Sequence, residues 1–155
     1  MDDPQIAAYE LKSRDVNLII VKNGSLLYKS RDPGIAGFLR AIDELGADLH
    51  SSTVADKIVG RAVAMLCLYC KIKYVYAVSM TEGAHQLLTE RHVPHISETY
   101  IGKLMNRQGT GLCPFEMAIK GVNDPDEAYK ILKKYSIEIK MKTSNPTQTE
   151  PSILE

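Results

Sequence analysis

What the sequence lacks narrows its function before any motif is read. Neither charge sign is in excess: 19 Lys and Arg balance 19 Asp and Glu. Nucleic-acid binding needs a surplus of cations on one face, so no broad nucleic-acid footprint is expected. The late lysines at 130, 133, 134, 140 and 142 are interleaved with Asp124, Asp126, Glu127 and Glu138, which reads as a solvated helix face. Long apolar runs are missing. The most apolar stretch, AVAMLCLYC, falls far short of the about 20 residues that span a bilayer, so no membrane partner is expected. The opening MDDPQIAAYELKSRD is acidic, without the apolar run of a signal peptide. Cysteine is scarce and odd in number (Cys67, Cys70 and Cys113), which suits a reducing compartment, and a cytoplasmic protein is expected. A phosphate-binding Gly-x-x-x-x-Gly-Lys, a His-x-x-x-His pair and an internal repeat are also absent.

What is present suits one globular domain. The 155 residues are 45% hydrophobic and 25% charged, enough for one core and too few for two ordinary domains. Residues 4–14 read as a short helix with Pro4 near its start. VNLIIVKNGSLLYKS reads as a hairpin around Asn23-Gly24, and GIAGFLRAIDELG as a helix closed by Gly46. SSTVADKIVGRAVAMLCLYCK gives the strongest helix signal, apolar around most of its surface after a polar start. KYVYAVSM reads as a central strand, TEGAHQLLTERHV as a helix with Leu87 and Leu88 inward, and VPHISETYI as a weaker strand. CPFEMAIKG and DPDEAYKILKKY are two further helices, each with an early Pro. From about Thr143 the chain turns to Ser, Thr, Pro and Gln. The expected organisation is one domain over residues 1–140 and a disordered tail over 141–155. Strands joined through helices imply parallel crossovers, hence an α/β fold with a mixed sheet of four to five strands.

Two stretches could carry chemistry. In the long helix, Asp56 and Gly60 would stack at i, i+4, with the glycine leaving room beside the carboxylate. A capping box from Thr53 to Asp56 explains the same residues structurally, and both readings stay open. Lys57 and Arg61 would form a second line, read as a polar edge rather than a phosphate clamp. In NRQGTGLCPFEMAIKG, Pro114 suits a first helical position, and Glu116 would favour that helix's free N–H groups. Cys113 is a poor N-cap facing a positive helix end, and Gly109, Thr110 and Gly111 could turn backbone N–H groups on an anion. Helix start, ligand-binding loop and nucleophile all remain readings of Cys113. The pair Cys67 and Cys70 reads as core, and His85, His92 and His95 as scattered surface or edge residues.

Together, VNLIIVKNGSLLYKS, SSTVADKIVGRAVAML, YVYAVSMTEGAHQLL and NRQGTGLCPFEMAI resemble a family of uncharacterised prokaryotic proteins known only as a domain of unknown function, over roughly residues 5 to 135. The resemblance implies a cytidine-deaminase-like fold, three-layer α/β/α. It does not imply deamination. Zinc deaminases carry His-x-Glu or Cys-x-Glu at one helix start and Pro-Cys-x-x-Cys at another. Here the corresponding stretches are Asp56-Lys57-Ile58 and Met80-Thr81-Glu82-Gly83-Ala84, so no zinc or other cofactor is expected. Ligands in such sheets bind beyond the strands' carboxyl ends. The expectation is therefore a small nucleotide-like ligand, with Asp56 and Cys113 as candidate catalytic residues sharing one site. Lys57, Gly60, Glu82, Arg107, Thr110, Gly111 and Glu116 are the candidate binding residues. A non-catalytic interaction or regulatory domain is the alternative, and assembly into a homo-oligomer is left open.

Overall fold

The computed structural model describes residues 1–143. The expected tail lies outside the described residues, apart from its first positions. Five strands form one mixed sheet in the order β2-β1-β3-β4-β5. Helix α1 (Asp3–Ser13) precedes the hairpin β1 (Leu18–Lys22) and β2 (Ser25–Ser30), and α2 (Ala36–Leu45) follows it. Then come β3 (Thr53–Val59), α3 (Arg61–Tyr69), β4 (Tyr74–Thr81), α4 (Glu82–Glu90) and β5 (His95–Ile101). The described chain closes with the short α5 (Pro114–Ala118) and the long α6 (Pro125–Thr143). Strand β1 pairs antiparallel with both β2 and β3, while β3, β4 and β5 run parallel.

The hairpin turns as its sequence predicts. Asn23 and Gly24 both have positive φ, 51° and 81°, and Lys22 pairs with Ser25 across them. The turn is also held from outside. Asp3, in the first turn of α1, accepts from the N–H groups of Asn23 and Gly24 at 2.9 and 2.8 Å.

Alternate residues of the central strands serve two cores. On one face, Ile19, Val21, Ala55 and Tyr76 pack under Ala7 and Leu11 of α1. On the other, Leu18, Ile20, Val54 and Val75 pack under α2, α3 and α4, where Leu87 and Leu88 are buried as expected. Helix α6 lies against α3, with Tyr69 and Tyr129 stacked at 4.2 Å. The result is a three-layer α/β/α arrangement with burial on both faces of the sheet.

One expected helix is half strand. Residues 53–59 are β3, paired with β1 and β4, and the helix begins only at Arg61. The apolar positions 55, 58, 59, 62, 63 and 66 run in helical phase across both elements, so period alone joins them. The breaker is Gly60, which serves as N-cap of α3 in extended backbone. Thr53 therefore caps nothing; it opens a strand. The last helix also runs past its expected end at Tyr135, and past the expected domain boundary, to Thr143. No helix among the described residues is long and apolar enough to cross a membrane.

Candidate functional site

The carboxyl ends of β3, β4 and β5 point toward the starts of α3 and α4 and toward the segment between β5 and α5. A cavity of about 200 Å³ opens at the end of β3. Its walls are mostly apolar, among them Ile35, Val63, Leu104 and Phe115, and both Asp56 and Cys113 line it. Lys57, Gly60 and Glu116 line it as well, whereas Glu82, Arg107, Thr110 and Gly111 do not.

Asp56 reaches this cavity from the middle of a strand, not from a helix start. It pairs in register with Leu18 of β1 and Ala77 of β4, so it sits near the centre of the sheet. Two-residue alternation puts it on the face of Val54, under α2 and α3. It is 6% exposed. Its carboxylate accepts one backbone hydrogen bond, from Ile58 N–H at 3.3 Å, and no described cation forms an ion pair with it. Burial without a counter-charge pushes its pKa up to about 7, against the smaller opposing pull of the Ile58 and Lys57 backbone N–H groups. The stacked Asp56–Gly60 pair of a helix does not exist.

Gly60 has a different purpose. Glu116, on α5, extends its carboxylate to the start of α3 and accepts from Arg61 N–H at 2.9 Å and Ala62 N–H at 2.7 Å. It supplies from another element the cap that Gly60 lacks. A Cβ at position 60 would stand 2.8 Å from Glu116 Oε1 and 3.1 Å from Leu104 Cδ2. Glu116 thus serves α3 rather than the helix that carries it, a correction to the sequence-based expectation. Arg61 is no polar edge either. Its guanidinium donates to the carbonyls of Ile119 and Val122 and to Asn123 Oδ1, tying the start of α3 to the α5–α6 connection.

The Gly-Thr-Gly stretch is closed on itself. Asn106 Oδ1 accepts from Thr110 N–H at 3.1 Å, and Asn106 O accepts from Gly109 N–H at 3.1 Å. Two N–H groups of the expected anion cradle are therefore spent within the loop. Cys113 follows, half-buried, with its N–H donated to Leu104 O at 2.8 Å. It caps α5 without a side-chain hydrogen bond, and α5 is only five residues long. The other two cysteines are core residues: burial lifts the Cys70 thiol to about 12 and that of Cys67 well above its usual range. His85 and His95, expected to be scattered, meet with their ring nitrogens 2.8 Å apart.

Asp56-Lys57-Ile58, compared above with the deaminase helix-start motif, lies in β3 and not at the start of a helix. The start of α3 reads Gly60-Arg61-Ala62, and among the described residues no three His, Cys, Asp or Glu side chains converge. Ile35 continues the apolar face read at 38, 39 and 42, but the walls Leu104, Met105 and Phe115 were not foreseeable from sequence. Each of these three comes from a connection or a short helix where no periodicity marks a buried face.

A family model described as TM1506, domain of unknown function (DUF1893), matches residues 6–136. The crystal structure of a DUF1893 family protein (TM1506) from Thermotoga maritima superposes with a TM-score of 0.76 at 23% sequence identity. The match covers 85% of this chain and 88% of that one. No curated protein matches the chain.

Proposed function

We propose, for a chain that belongs to the DUF1893 family of unknown function, that the cavity at the end of β3 binds a single flat ring with a hydrogen-bonding edge. The observation that carries this reading is Asp56: a carboxyl group near the sheet centre, without a counter-ion, on the wall of an otherwise apolar cavity. Burying a charge of this kind is costly unless something compensates it. A ligand that pairs with the carboxyl supplies the compensation.

Size limits the ligand. A dry cavity of about 150 Å³ accommodates benzene. A cavity of about 200 Å³ therefore suits a nucleobase-sized ring and excludes a whole nucleotide. The edge chemistry follows from titration. Protonated, Asp56 offers one donor and one acceptor, which complement the ring nitrogen and amino group of adenine or cytosine. Ionised, it offers two acceptors, which complement the adjacent N–H groups of guanine. With its midpoint at about 7, both forms are populated near neutrality.

The finer reading of the fold as cytidine-deaminase-like is supported by its three layers and its mixed sheet. Zinc-dependent deamination is not part of the proposal, because the starts of α3 and α4 carry no zinc-ligand set. Cys113 serves as a second wall residue of the ring site.

Calorimetry with adenine, cytosine, guanine and uracil at pH 6 and pH 8 tests the proposal. The expected result is saturable binding of at least one base. Asp56→Ala should weaken any such base about tenfold or more, since it removes the hydrogen-bonding group. Asp56→Asn should weaken guanine similarly, by loss of a charge-assisted bond, but should retain adenine or cytosine and remove the pH dependence of their binding, because the amide presents the same donor and acceptor as the protonated acid. Cys113→Ser should weaken the same base to a lesser degree. No heat and no thermal shift from any base at millimolar concentration would overturn the reading and leave the alternative, an interaction domain whose motif residues are structural.

A further inference from the structure

A second cavity, of about 440 Å³, adjoins the first and shares Leu104 and Glu116 with it. It lies at the carboxyl end of β4, lined by Thr81 and Gly83 at the start of α4, by Lys103 just beyond β5, and by Arg61 and Lys120. Three of its lining residues are cations, against one carboxylate. That carboxylate is Glu116, already engaged by two backbone N–H groups at the positive end of α3. Arg61 is bonded to carbonyl and amide oxygens, three bonds that engage its guanidinium without cancelling its charge. Among the described residues, neither Lys103 nor Lys120 forms an ion pair. The field in this cavity is therefore positive and unbalanced.

Thr81 adds a hydroxyl to the wall. It is 3% exposed, and its hydroxyl oxygen accepts from Ala84 N–H at 3.1 Å. Its own hydroxyl proton has no acceptor among the described residues. A buried donor left over on the wall of a cationic cavity calls for an acceptor from outside the chain.

We propose that this second cavity is a phosphate subsite, so that the ligand class is a phosphorylated ring compound of nucleoside monophosphate type. The inference rests on the ring-site reading: the base occupies the cavity beside Asp56 and the phosphate lies beyond Leu104. The phosphate oxygens accept from the Thr81 hydroxyl and from the ammonium groups of Lys103 and Lys120, with the N–H groups that open α4 behind them. This division also explains how a cavity too small for a nucleotide belongs to a nucleotide site.

Four probes separate the two readings: the best-binding base alone, its nucleoside, its nucleoside 5′-monophosphate, and inorganic phosphate. The monophosphate should bind about tenfold tighter than the nucleoside at low salt, an advantage that shrinks as ionic strength rises. The double variant Lys103→Ala with Lys120→Ala should abolish that advantage and leave the affinity for the base alone unchanged. Equal affinity for nucleoside and monophosphate would overturn the subsite while leaving the ring site standing. Should no base, nucleoside or nucleotide bind, the ring site fails, and inorganic phosphate tests the subsite by itself. Amide resonance shifts at Thr81 and Gly83 that disappear in the double variant would support the subsite; their absence in the native chain would overturn it.

Discussion

At the scale of single residues, Asp56 sets a pH dependence whose sign runs against the common one. Its ordinary value is 3.8 and burial raises it to about 7, so between those values the folded chain holds a proton that the unfolded chain has lost. Stability contributed by this group is fully present below about pH 4, declines as pH rises, and is lost once pH passes about 7. The Asp56→Asn variant carries a neutral amide at every pH, and its amide oxygen could keep the Ile58 N–H bond. This substitution should therefore stabilise the chain by roughly 2–4 kcal/mol at pH 8 and by less than about 1 kcal/mol at pH 4. Urea unfolding at the two pH values reads the difference directly. An equal effect at both would show that the aspartate is not held neutral by the fold. Combined with weakened guanine binding or a lost pH dependence of adenine or cytosine binding, a gain in stability is the pattern of a residue kept for function at a cost to folding.

Among elements, the α3–α5 junction concentrates the most consequence in the fewest atoms. Glu116→Ala removes the acceptor of two N–H groups at the head of a buried helix. The expected loss is about 2–4 kcal/mol in chemical denaturation, since each buried donor left unpaired costs roughly 1–3 kcal/mol. Gly60→Ala should also destabilise, by about 1–3 kcal/mol, because its methyl would press on a carboxylate fixed by both of its oxygens. The same junction marks the limit of what local sequence encodes. The Asn-Gly hairpin, the inward Leu87 and Leu88, and the core pair Cys67 and Cys70 follow from local chemistry, and all are legible. That Glu116 caps a helix more than fifty residues upstream is a tertiary pairing, which no local pattern encodes. The merging of β3 into α3 has a related cause: strand and helix share one apolar phase, and only Gly60 separates them. Two helix starts would bring Asp56 and Cys113 to one cavity, but that is not how they meet. What joins them is the carboxyl end of β3 meeting the connection that leads into α5.

Across the whole molecule, the two faces of the sheet are covered unequally. Helices α2, α3 and α4 shield one face, backed by α6, whereas among the described residues α1 alone shields the other. The attachment of α1 rests on Ala7 and Leu11 in the core, on Lys12 paired with Glu98 of β5, and on Asp3 at the hairpin turn. That last contact is a built-in reporter of local opening. Amides in an exposed two-residue turn exchange with solvent quickly unless bonded. Those of Asn23 and Gly24 are bonded only while α1 is docked, so their protection measures the free energy of lifting one helix from the sheet. Asp3→Ala should release both amides to fast exchange while leaving central β4 amides protected, as hydrogen-exchange NMR would record. Because α1 is the cover of Ile19, Val21 and Tyr76, each such opening briefly exposes a bare apolar sheet face. The rate at which these two turn amides exchange should then track the tendency of the chain to self-associate on warming.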